Sequence, residues 1–289
     1  MPVTFLRKAT AQSLVHHLSM PIDSGNTPTC TLYDESGTEL QASTSVTKGP
    51  RTTLDGDAVA DQTTVPLTAT TDIVVGEEYG IGPNAAGQSE VVIVDSISSG
   101  VSVVVRHDLL HTYASANVFA SRKCSLSVLA ASIPNAEKNC RARWIYQSNS
   151  QEYAEESVFH ISTYAPVCTV TEADILRRIP DARNLTIPGQ PLSEVIEDIW
   201  AEEVLGDLAV IWTPTATISG DSLRLATIHR VCSQLAMWNE KFEAFDRWMA
   251  AYQADLERAV ATMPKDIDDD GASDDELVYH PGSFRVLRS

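Results

Sequence analysis

The 289-residue sequence predicts an α+β multidomain protein: an all-β N-terminal half, an all-α helical bundle, and an extended C-terminal arm. Three observations predict this. Composition changes near Pro166, from Thr, Ser, Val and Gly to Leu, Ala, Glu and Trp. Before that point apolar residues alternate over short runs, and after it they recur at helical spacing. Beyond Pro264 the periodicity stops and acidic residues cluster.

The outer β elements come first. TCTLYDESGTEL (29–40) gives a strand and a turn at Glu35, Ser36 and Gly37. SRKCSLSVLAA (121–131) alternates as a strand. In CRARWIYQ (140–147), Cys140, Ala142, Trp144 and Tyr146 share one face and Arg141, Arg143 and Ile145 the other. ESVFHIST (156–163) is the last strand. Short strands around a Trp fit an immunoglobulin-like sandwich built from 1–51 and 121–165. Residues 52–120 read as a small β barrel inserted into it. TTVPL (63–67) is a strand, and DIVVGEEYGIG (72–82) is two strands turning at Gly76. SEVVIVDSIS (89–98) and VSVVVRHDL (101–109) form a hairpin around Ser99 and Gly100. Val92, Val94, Ile97, Val101, Val103 and Val105 supply the apolar faces.

The helical elements follow over 166–263. Thr171 and Asp174 match a capping box opening ADILRRI (173–179), which Pro180 stops. LSEVIEDIWAEEVLGDL (192–208) places Ile196, Trp200 and Val204 at i, i+4 and i+8, beside Val195 and Ile199. One long helix is expected from Asp221 to about Thr262. Along it Ile228, Val231, Leu235, Trp238, Phe242, Phe245, Met249, Tyr252 and Leu256 step alternately by three and four, a heptad seam. At 1.5 Å per residue such a helix is about 60 Å long. Its seam serves either a subunit interface or a bundle core within one chain, and the pattern leaves both open.

Composition narrows the function classes. There are 39 acidic and 21 basic residues, a net charge of −18. That surface cannot displace counterions from nucleic acid. It suits one that DNA passes without adhering. Five cysteines, an odd number with no CxxC pair, read as mostly reduced thiols of a chain folded in a cytoplasm. Cys30 with Cys124 or Cys140 is a candidate close pair in the sandwich. MPVTFLRKATAQSLVHHL lacks a signal-peptide core, and no stretch reaches transmembrane length, so a soluble protein without a membrane partner is expected.

The sequence offers little chemistry, and no enzyme is expected. GxSxG, GxxxxGK[ST] and HExxH are all missing. His107 and His111 lie four apart at a strand end, where that spacing does not share a face. Glu77, Glu78 and Glu90 read as solvated β surface rather than a glycosidase pair. PKDIDDDGASDDE (264–276) is different. Asp266, Asp268, Asp270, Gly271 and Asp274 match the opening of a calcium loop. The twelfth position is Leu277, which excludes an EF-hand. A short structural Ca²⁺ loop and a solvated acidic hinge both stand, and no cofactor is required.

The helical half resembles a family. ADILRRIPDA (173–182), the helix around IEDIWAEEVL, the long helix led by DSLRLATIHRVCSQLA, and the trailing DIDDDGASDDE and RVLRS resemble the head-to-tail adaptor (head-completion) proteins of tailed bacteriophages. The resemblance covers about 168–289 and rests on layout. The inserted unit is similar to a β module common in virion proteins, and the RARWIY and ESVFHI strands to a virion immunoglobulin-like domain. The resemblance implies a structural virion protein, assembled in the host cytoplasm, in a ring of commonly twelve copies. That ring joins the portal protein to a tail-side connector or tail terminator, and DNA passes through it without sequence-specific contact. Residues 264–289 would be the arm that reaches the portal, with Tyr279, Phe284, Arg285 and Arg288 as its contacts. A tail, baseplate or host-binding virion protein acting through its β domains is the alternative.

Overall fold

The alternation in 140–147 sets the inner face of a sandwich. The computed structural model describes residues 4–263, apart from 24, 99, 149, 188, 189, 215 and 217. A five-stranded sheet runs in the order β1 (Thr4–Arg7), β14 (Gln151–Ser162), β13 (Glu137–Ser148), β3 (Thr29–Tyr33) and β4 (Glu39–Ser45). β1 pairs parallel with β14, and the other neighbours are antiparallel. A second sheet holds β2 (Gln12–His17), β12 (Lys123–Val128) and β5 (Thr47–Lys48). Between them Cys140, Ala142, Trp144 and Tyr146 meet Leu14, Cys124, Leu126 and Val128 in one dry core. All five cysteines are free thiols. Burial pushes the thiols of Cys124, Cys140 and Cys232 up to about 12, which makes them inert at neutral pH.

A second core belongs to residues 54–119. Its sheet runs β6 (Arg51–Thr53), β11 (Val118–Ser121), β8 (Glu78–Ile81), β9 (Glu90–Ser98), β10 (Ser102–Val105), β7 (Thr64–Pro66). It curls into a half-barrel whose two edges meet at the bridge between Leu54 and Leu67. Val65, Tyr79, Ile81, Val94, Val103 and Phe119 fill it. Two details depart from expectation. Residues 72–75 form a turn rather than a strand: Asp72 has φ +65°, and Val74 and Val75 are exposed. The Tyr79 hydroxyl takes the Val74 N–H at 2.9 Å, a bond a straight strand would spend on a neighbour. Val101 sits in the β9–β10 turn, exposed rather than on the apolar face. Gly76 has φ +86° and sends its N–H to the Val94 carbonyl at 2.7 Å.

The third core holds the helices: α1 (Glu172–Leu176), α2 (Leu192–Ile199), a π-helical stretch Trp200–Val204, α3 (Leu205–Ile211), α4 (Gly220–Trp238) and α5 (Phe242–Thr262). Here the expected fold class is corrected. The chain is mainly β, with three sheets, and the helical region is not an all-α bundle domain. One physical reason is that β1 helps close its core. Phe5 packs edge-on against Trp212 at 5.3 Å and lies 5.0 Å from His160. The single long helix is also corrected. It breaks after Trp238, and α5 folds back antiparallel on α4. No described helix is long and apolar enough to cross a membrane.

Candidate functional site

The heptad seam is the richest candidate, and the break at residue 239 reshapes it. Ile228, Val231 and Leu235 on α4 are buried with Tyr252 and Leu256 of α5 in one core. Trp238, Phe245 and Met249 are half-buried. Phe242, at the start of α5, is 65% exposed, and Met237 beside the turn is 43% exposed. The seam therefore splits into a sealed part and an open end. Sequence spacing assigned every seam residue one role because it could not see the turn between them.

That turn is a helix-ending motif without its usual glycine. Glu240 adopts φ +55°. The Glu240 N–H donates to the Met237 carbonyl at 3.1 Å and the Lys241 N–H to the Ala236 carbonyl at 2.9 Å, the Schellman pattern. The Asn239 side-chain amide donates to the carbonyls of Leu235 and Leu185, at 2.8 and 3.1 Å. This reversal satisfies the last carbonyls of α4 and returns the chain onto its own seam.

A polar belt ties the hairpin to α3. Tyr252 donates its hydroxyl to Asp207 at 2.6 Å. Burial first, and that carboxylate second, push the phenol far above its ordinary range. Arg230 pairs with Glu203 and lies over the Tyr252 ring, 6.0 Å from its centroid. His229 Nδ1 is 2.8 Å from Asp255, and its ring sits 5.3 Å from that of Trp248. At the base, the capping box of Thr171 and Asp174 forms with Arg224 added, Nη2 to Oδ1 at 2.6 Å. The Arg224 hydrogen bond, and then the Thr171 amide, hold the Asp174 carboxyl down at about 2. Sequence reasoning missed Glu203, Asp207, Arg230 and Asp255, since charged residues at those spacings read as a solvated face.

The remaining candidates resolve into structural ties. Glu77 pairs with Lys123, and Glu78 with Arg122 at 3.2 Å. Glu90 accepts the Leu110 N–H at 2.9 Å. Glu155 accepts from Ser19 and Tyr146 and lies 3.4 Å from buried His16, a half-buried polar pin. Among the described residues no group of three or more His, Cys, Asp or Glu could hold a metal ion. The calcium candidates Asp266, Asp268, Asp270 and Asp274 lie outside the described residues, as do the arm residues Tyr279, Phe284, Arg285 and Arg288.

No protein-family model and no curated protein matches the chain. Among solved structures, one likeness is to a family 123 glycoside hydrolase from Clostridium perfringens, studied for glycolipid glycan hydrolysis. Identity is 10% and the TM-score 0.19, over 62% of this chain and 28% of that one. A likeness that faint carries no argument about fold or activity.

Proposed function

We propose that this chain is a structural virion protein, a head-to-tail adaptor that assembles into a ring between the portal protein and a tail-side connector or terminator. The observation that supports this reading best is the open end of the α4–α5 hairpin. Phe242 and Met237 are exposed there, and Trp238, Phe245 and Met249 are half-covered. Large apolar side chains gathered at one place mark a surface that meets another protein. A ring uses such a surface head to tail, each copy capping the next. A charge of −18 per chain, repeated around the ring, repels DNA in transit. The reading needs no catalysis and no cofactor. In it the Asp-rich stretch is a hinge, with Ca²⁺ at most a structural ion. The arm residues Tyr279, Phe284, Arg285 and Arg288 contact the portal.

Native mass tests this, by mass photometry of the purified protein alone and mixed with a portal. A closed ring of many copies is expected in at least one condition, and Phe242→Ser is expected to shift it toward monomer. A monomer in both conditions overturns the adaptor reading and favours a virion protein that binds through its β domains.

A further inference from the structure

A groove of about 250 Å³ lies between α2, the π-helical stretch and the C-terminal end of α4. Its floor is apolar. Val195 and Ile199 are buried there, Trp238 is half-buried, and Ile187 is 47% exposed on the rim. Its lip is acidic, with Asp198, Glu202 and Glu203. Glu203 is already paired with Arg230. Asp198 accepts a neutral hydrogen bond from Gln190 at 2.8 Å and is attracted by Arg106, whose guanidinium is already bound to Glu194; neither Asp198 nor Glu202 has an ion pair among the described residues. Asp198 and Glu202 stand four residues apart, where like charges on a helix repel. Desolvation, with Glu194 and Glu202 beside it, holds the Asp198 carboxyl above its usual range. The groove therefore asks for an apolar ligand that carries cations.

We propose that this groove docks the chain's own segment 284–288, FRVLR, with Arg285 and Arg288 on the Asp198 and Glu202 carboxylates and Phe284 and Leu287 over Ile187 and Trp238. Charge favours this stretch over the rest of the C-terminal region. Residues 277–289 contain two arginines and no acid, whereas 266–276 are densely acidic and would be repelled by the same lip. A guanidinium fork fits a carboxylate in two-point geometry and also packs on an indole face.

Reach fits as well. α5 runs antiparallel to α4, so its C-terminal end lies beside the start of α4, while Gln234 and Trp238 lie near the other end. At 1.5 Å per residue the separation is about 25 Å. The 20 residues 264–283 can reach at most about 66 Å when fully extended, so their number is ample for that separation. A segment tethered within reach of its groove binds intramolecularly, so even a weak contact is populated. The docking does not depend on ring formation. In the assembly proposed above, the portal would compete for the same arginines.

The test is site-directed disulfide trapping in the full chain. The background carries Cys168→Ser, because Cys168 is the half-buried thiol and the others are buried. Gln234→Cys in the groove is combined with Ser289→Cys, and the comparison pair uses Glu257→Cys on the exposed face of α5. Under mild oxidation, peptide mapping is expected to find the 234–289 link within one chain, forming at least tenfold faster than the 257–289 link. Arg285→Glu with Arg288→Glu is expected to bring it down to the control rate. Adding Asp198→Lys with Glu202→Lys to that reversed tail is expected to restore it. Equal rates for the two pairs, insensitivity to charge reversal, or links found only between chains would each overturn the proposal. Native mass read on the same samples reports ring formation separately.

Discussion

His160 is buried and neutral, and its surroundings fix that state. Its Nδ1 accepts the Asn139 N–H at 3.0 Å, and the ring lies against Phe5 and Trp212. Desolvation first, and nearby Lys138 second, lower its pKa from 6.5 to about 4. Between those values the unfolded chain binds the extra proton, so stability rises with pH across the window and falls as pH drops from 6.5 towards 4. The full effect is about 3 kcal/mol. His160→Gln is expected to flatten the urea midpoint between pH 6.5 and 4.5. His16, lowered chiefly by burial, leaves a residual slope of the same sign. An unchanged slope would mean the junction does not hold His160 neutral. Gly220 acts through space rather than charge. A side chain there would collide with the Val167 carbonyl oxygen just where Ser219 caps α4. Gly220→Ala is expected to cost about 1–3 kcal/mol in urea unfolding, because backbone rather than a flexible side chain must move.

The α4–α5 hairpin depends on a glutamate doing a glycine's conformational task. Left-handed backbone costs a side-chain-bearing residue about 1–2 kcal/mol, and the looser unfolded chain of a glycine offsets about half of that. Glu240→Gly is thus expected to raise stability by about 0.5–1 kcal/mol, read as a higher urea midpoint at constant slope. A loss instead would show that the Glu240 side chain contributes something its exposed position hides. The same residue explains why one long helix was expected. Trp238-Asn239-Glu240-Lys241 contains no Gly or Pro, and the three-four spacing runs through it unbroken. Elements with a local signal were legible: the buried face of β13, the Thr171 capping box and the Gly76 turn. β1 and β2 were not. β1 is only four residues long, and its Phe5 and Leu6 are both buried, one in the helical core and the other in the sandwich, so period two is lost. Of the candidate site, the apolar seam was legible from spacing alone. Its open end was not, because the turn at 239–241 carries no Gly or Pro; nor were the polar belt and the acidic groove, since each is made by residues far apart in sequence.

Three cores in one chain hold together only as firmly as the contacts between them. Arg106 of the half-barrel grips Glu194 of α2 with two hydrogen bonds of 2.8 and 3.2 Å. Lys138 of the sandwich reaches the Val210 carbonyl at 3.1 Å. Neither contact is worth much beside Phe5, which leaves a sandwich strand to fill the helical core against Trp212. This placement makes the helical region incomplete without the first strand, although composition draws a clean border at Pro166. Phe5→Ala removes a large side chain from a core that cannot close over it, at a cost of about 3–5 kcal/mol. That loss falls on the helices while leaving Leu14, Trp144 and the rest of the sandwich core in place. Thermal unfolding of this variant is therefore expected to separate, with helical ellipticity at 222 nm lost before the sandwich signal. In the parent chain the two should melt together. Residues 166–289 expressed alone are expected to behave like the variant or worse. If that fragment instead melts as cooperatively and at the same temperature as the whole chain, the helices form an independent domain and Phe5 is a surface plug.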